Sequence, residues 1–237
     1  DNDGLGDIFE LWNRGELNSF LIEITSHILH YKEENGDYLL DHILDVAGQK
    51  GTGKWSVMAA LDEGDPLTLV SEAVFARFMS SLVNERERAS VQYPSGKVGD
   101  MEACITLNTS GIEAVRDALY AAKLISYAQG FSLMRRASER NGWNLDYGTI
   151  AKIWRKGCII RSVFLERITQ AFTKSPGLQN LLFDAFFHER MENALPALRG
   201  VVVDCVFNGI AAPCFFSALS YFCLLYTSPS PRDRSLS

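Results

Sequence analysis

The stretch whose residue types best suit chemistry is Asp45-Val-Ala-Gly-Gln-Lys-Gly-Thr-Gly-Lys-Trp55, where three glycines, two lysines and a threonine open onto a helical run. Such a loop is suited to phosphate. Glycines let backbone N–H groups approach an anion, a helix N-terminus adds positive partial charge, and Lys50 or Lys54 supplies full charge. Thr52 falls where a helix N-cap is expected, so its hydroxyl suits capping, phosphate contact or both. Two other readings compete. Gly48, four residues, Gly53 and Lys54 fit a nucleotide P-loop, but Trp55 stands where Ser or Thr must hold magnesium, and the setting is helical rather than strand–helix. A purely structural Gly-rich turn is the other.

Further along, Glu72-Ala-Val-Phe-Ala-Arg77-Phe places an arginine in an apolar stretch, where an unpaired charge is costly. Its partner is either a carboxylate such as Glu72 or a phosphate gripped in bidentate fashion, and spacing alone favours the ion pair. His27 and His30 stand three apart on a predicted helix but have no nearby third ligand, so no metal site is expected. Cys104, Cys158, Cys205, Cys214 and Cys223 lack C-x-x-C spacing and read as reduced thiols of a cytoplasmic protein.

The elements that must position these residues are helices. Apolar periodicity predicts an all-α fold with helices over 6–13, 18–33, 53–62, 67–90, 111–140, 148–155 and 160–174, and two or three more between 179 and 222. Ser110 and Glu113 form a capping box for the longest, and Gly142 stands just past its end. Its centre, Leu119 to Leu133, is apolar on nearly every face and should be surrounded by other helices.

An internal echo is also present: Trp12-Asn-Arg-Gly15 with Ser19-Phe-Leu-Ile-Glu23 matches Trp154-Arg-Lys-Gly157 with Ser162-Val-Phe-Leu-Glu166. The two tryptophans are 142 positions apart, far beyond a solenoid period of about 20 to 50, which points to a duplicated helical unit. One helical domain is thus expected over 1–222. Residues 223–237, Pro- and Ser-rich towards their end, are expected to be disordered and read as a translated cloning adapter. The Asp at position 1, where a Met is usual, reads as a truncated start. A formal net charge of -6 argues against nucleic acid as a partner, and no apolar run reaches the roughly 18 residues of a membrane span.

Taken together, Trp12 to Ile24, Ala47 to Trp55, Ser71 to Arg77 and Trp154 to Ser162 closely resemble the decarboxylating 6-phosphogluconate dehydrogenase family, from about Leu5 to Phe222. The resemblance implies oxidation of 6-phosphogluconate with NADP and decarboxylation of the 3-keto intermediate, yielding ribulose 5-phosphate, carbon dioxide and NADPH. It also implies a Rossmann-like cofactor domain ahead of a large, internally duplicated all-α domain that contacts substrate and forms a homodimer.

By motif match, Lys50, Thr52 and Arg77 are the residues expected on the substrate phosphate. The family's catalytic lysine and glutamate lie in a His-Asn-Gly-Ile-Glu-Tyr type segment that these 237 residues do not contain, so no catalytic residue is assigned. After Phe222 the sequence also departs from the family, whose tail brings an arginine and a histidine to the neighbouring active site. The chain alone is therefore expected to be inactive. The alternative is a standalone helical interaction domain without catalysis.

Overall fold

A computed structural model describes residues 1–93, 109–155 and 158–227, with the side chains of 109 and 110 also left aside. Among them are ten α-helices: α1 Asn2–Asn13, α2 Phe20–His30, α3 Thr52–Glu63, α4 Thr68–Ser80, α5 Val83–Gln92, α6 Thr109–Asn141, α7 Tyr147–Trp154, α8 Phe164–Lys174, α9 Ala185–Phe207 and α10 Pro213–Tyr226. Strand pairing among the described residues is confined to two isolated bridges, so the fold is all-α as expected. Contacts cluster into two compact units, 1–45 with 142–184, and 46–141 with 185–237.

The first unit is built from the two copies of the echo. Phe20 N–H donates to the Arg161 carbonyl at 3.1 Å and Val163 N–H donates to the Asn18 carbonyl at 3.2 Å. In the register of the echo, Phe20 corresponds to Val163 and Asn18 to Arg161. Each copy therefore gives the other the same hydrogen bond, about a local two-fold, with Ser19 opposite Ser162 in an antiparallel bridge. Both serines are buried, and an ion pair from Arg161 to Glu23 also links the copies. Beneath them Trp12, Leu17 and Ile22 of the first copy and Phe164, Leu165 and Ile168 of the second are buried. The echo's Gly157 lies outside the described residues.

In the second unit α6 is the axis, with α9, α10, α3 and α4 packed on it. Its 33 residues at about 1.5 Å each span roughly 50 Å, and none from Ala114 to Arg135 is exposed. Within this stretch, burial pushes the Lys123 ammonium down to about 8 by penalising its charged form. The helix begins at Thr109, ahead of the expected Ser110 cap, whose side chain lies outside the described residues; Gly142, at φ +65°, follows its last turn.

Two buried polar side chains of α6's partners and of α6 itself set where α4 starts. Gln129 accepts from Leu69 N–H at 3.1 Å and donates from Nε2 to Thr68 Oγ1 at 2.9 Å, capping α4 from outside. Asp65, just before α4, accepts from Ser132 Oγ at 2.7 Å and pairs with Arg136 at 2.9 Å.

The helix expected over 67–90 is two helices. Ser80 and Ser81 hydroxyls donate to the carbonyls of Arg77 and Phe78, three residues back, and Arg86 takes the Ser80 carbonyl at 3.0 Å. These local bonds compete with the helical ladder and end α4 there. The helix expected over 18–33 stops at His30, where Tyr31 turns extended into the Lys32–Tyr38 bridge.

Residues 223–226 are not disordered as expected. The apolar Cys223-Leu-Leu-Tyr226 extends α10, Tyr226 packs on Phe222, and its hydroxyl accepts from Arg199 at 2.9 Å. The rest of the tail, 228–237, lies outside the described residues.

Candidate phosphate site

The Gly-rich loop enters α3, and α4 holds it in place. Three successive points of α4 meet it, running antiparallel to the loop's own order. At the exit, Gly53 packs against Val74 so closely that a Cβ there would lie 2.8 Å from Val74 Cγ2. Further along α4, Arg77 Nη1 donates to the Gly48 carbonyl at 2.8 Å. At the entry, Ala47 N–H donates to Ser80 Oγ at 3.0 Å.

At the turn into α3, Gly51 takes φ +96°, a backbone state in which a side chain is strained. Gly51 is the N-cap. Thr52 is thus the first helical residue and not the cap expected from its position, and its carbonyl accepts from Ser56 Oγ at 2.9 Å. Among the described residues the Thr52 hydroxyl makes no capping bond.

None of the residues from Asp45 to Trp55 is buried, and Lys50, Thr52, Lys54 and Arg77 are all exposed. The expectation for Arg77 needs correction on two points. Its stretch is apolar but lies on the surface, with Phe75 and Met79 more than half exposed, so the charge carries no burial cost. It pairs with the Gly48 carbonyl, and no ion pair with Glu72 is found among the described residues. A single N–H is engaged in this way, and a guanidinium has five.

What the arrangement can do is bind an anion. A left-handed glycine turns the loop into a helix N-terminus, a guanidinium lies against the loop, and two ammonium groups flank the turn. It does not suit a nucleotide P-loop, since no strand leads into it among the described residues. Among the described residues no group of three His, Cys, Asp or Glu is placed to hold a metal ion. The structure thus brings Arg77 to the loop that carries Lys50 and Thr52. Ser80 was missed by sequence reasoning, because Arg77-Phe-Met-Ser80 carries no motif beyond helical spacing.

Comparisons with known proteins identify the family. Residues 1–233 match the family model described as the C-terminal domain of 6-phosphogluconate dehydrogenase. The chain belongs to the 6-phosphogluconate dehydrogenase family. It is 51% identical over 218 residues to the decarboxylating 6-phosphogluconate dehydrogenase of Mus musculus, covering 92% of this chain and 44% of that enzyme. The corresponding enzyme of Schizosaccharomyces pombe is 49% identical over 93% of this chain and 44% of its own length. Among solved structures, Plasmodium falciparum 6-phosphogluconate dehydrogenase superposes with a TM-score of 0.92 at 38% identity, covering 99% of this chain and 50% of that one. That protein is described in apo form, with its cofactor NADP+ and with its substrate 6-phosphogluconate. The chain spans less than half the length of the curated relatives it matches.

Among the described residues no helix is long and apolar enough to cross a membrane.

Proposed function

We propose that this chain supplies the substrate-phosphate site of a cytoplasmic, NADP-dependent, decarboxylating 6-phosphogluconate dehydrogenase that works as a homodimer. The observation that carries the reading is the Arg77 guanidinium seated on the Gly48 carbonyl, at the loop that also bears Lys50 and Thr52. Lys50 and Arg77 neutralise the phosphate, Thr52 donates its hydroxyl, and the loop's backbone amides complete the cradle. Anchoring the phosphate end of a sugar acid fixes the distance to its other end, so the binding energy is used to orient the reacting carbons.

The described residues do not build a dinucleotide site. With no strand among them there is no βαβ crevice for a pyrophosphate, so NADP belongs to the family's Rossmann-like part and no chemical step is assigned here. Homodimerisation is supported by the apolar side chains that α3 and α4 leave exposed, including Leu61 at 78% and Trp55 at 65%. The same exposed face favours the second reading, a helical interaction domain without catalysis.

One titration separates the two. Calorimetry of the folded 237-residue chain with 6-phosphogluconate should give saturable heat, with no NADPH formed when NADP is added. Absence of heat at millimolar ligand would sink the phosphate reading in favour of the interaction domain.

A further inference from the structure

We propose that Ser80 is a positioning residue for the phosphate site, the hydroxyl that sets the loop and the arginine in register; this rests on the phosphate reading of Lys50, Thr52 and Arg77. The Ser80 hydroxyl does two things at once. It accepts the Ala47 N–H at 3.0 Å, and it donates to the Arg77 carbonyl at 2.8 Å. A hydroxyl has one proton and two lone pairs, so both bonds are made together.

Without Ser80 the loop's entry would lose its tie to α4, leaving the Arg77–Gly48 bond and the Gly53–Val74 contact. The Ala47 tie lies immediately before Gly48, whose carbonyl receives Arg77 Nη1 at 2.8 Å. Ser80 therefore closes a ring through its own hydroxyl, Ala47, Gly48, the Arg77 side chain and the Arg77 backbone. That ring sets how far the guanidinium stands from Lys50 and Thr52, and a mismatch of about 1 Å in such a cradle is costly to a rigid anion. Ser80 touches no phosphate in this scheme. Its neighbour Ser81 makes the same kind of bond three residues back, to Phe78, but makes no hydrogen bond to the loop among the described residues, so it serves as an internal control.

Three variants of the full 237-residue chain test this: Ser80→Ala, Ser80→Thr and Ser81→Ala, each titrated with 6-phosphogluconate. Ser80→Ala should bind roughly three- to tenfold more weakly, the net worth of a lost hydrogen bond. Ser80→Thr, which keeps the hydroxyl, should restore binding, and Ser81→Ala should bind as the parent does. Amide exchange should quicken at Ala47 in Ser80→Ala alone. Equal affinity of parent and Ser80→Ala overturns the proposal while leaving the phosphate reading standing. Equal weakening by Ser81→Ala overturns it too, by showing a general helix effect, and no binding by the parent removes the phosphate reading and this proposal together.

Discussion

The paired echo and the Gly-rich loop both hold irregular backbone in place, and they do so in opposite ways. At the echo, Phe20 and Val163 give their N–H groups to the partner copy, Ser19 and Ser162 are buried, and the ion pair from Arg161 to Glu23 closes on itself. The backbone N–H groups at its centre are spent on the fold, although the buried Ser19 hydroxyl has no partner among the described residues. At the loop no residue is buried, the Thr52 hydroxyl caps nothing among the described residues, and one N–H of Arg77 is used. The lesson is that a duplicated motif and a glycine motif, equally visible in the sequence, are told apart by which polar groups the fold leaves available.

If that contrast is right, stability and ligand binding should separate cleanly. The largest effect belongs to the first unit: Leu165→Ala empties a fully buried position and should lower unfolding free energy by about 2–5 kcal/mol in a denaturant titration. Next, Arg77→Ala should weaken 6-phosphogluconate binding by roughly ten- to a hundredfold, the loss of charged hydrogen bonds, while changing stability by less than about 0.5 kcal/mol. A large stability loss in Arg77→Ala would show that the guanidinium serves the fold and would blur the comparison. Gly51→Ala sits between the two. Its φ of +96° penalises a side chain by about 1–2 kcal/mol, so this variant should lose stability and affinity together.

How much of this could be read beforehand follows from the same contrast. Lys50, Thr52 and Arg77, the residues of the proposed site, stand out in the sequence because residue type and motif order are local properties. The partner of Arg77 was not, since the apolar residues around it suggested burial, whereas α4 turns Phe75 and Met79 outward. Apolar composition does not say which side of a helix faces the core. The break after Ser80 was hidden for a related reason: two serine hydroxyls bonding back to carbonyls outweigh the helical period, and only their geometry reveals it. The echo announced a duplication, but its antiparallel pairing through Ser19 and Ser162 is a tertiary register that no single copy encodes.

The smallest expected effect probes the closed region by pH. Asp146 caps α7 by accepting from Thr149 Oγ1 at 2.7 Å and from Thr149 N–H at 3.0 Å. Those bonds, the hydroxyl's first and the amide's second, hold its carboxyl below the ordinary value of 3.8. A depressed folded-state value means that the unfolded chain takes up the proton first on acidification. The stabilisation is therefore complete well above 3.8 and fades as pH falls past it towards the folded-state value. Parent and Asp146→Ala should thus differ by a constant amount near neutrality, and the gap should narrow below about pH 4. Asp146→Asn, which keeps a cap acceptor but no charge, should lie between them and lack that pH dependence. Because the carboxylate belongs to the first unit's own hydrogen bonding, 6-phosphogluconate affinity at neutral pH should be the same in all three. A weakened affinity in Asp146→Ala would mean that the paired echo and the phosphate loop are not separable, and the contrast drawn above would fail.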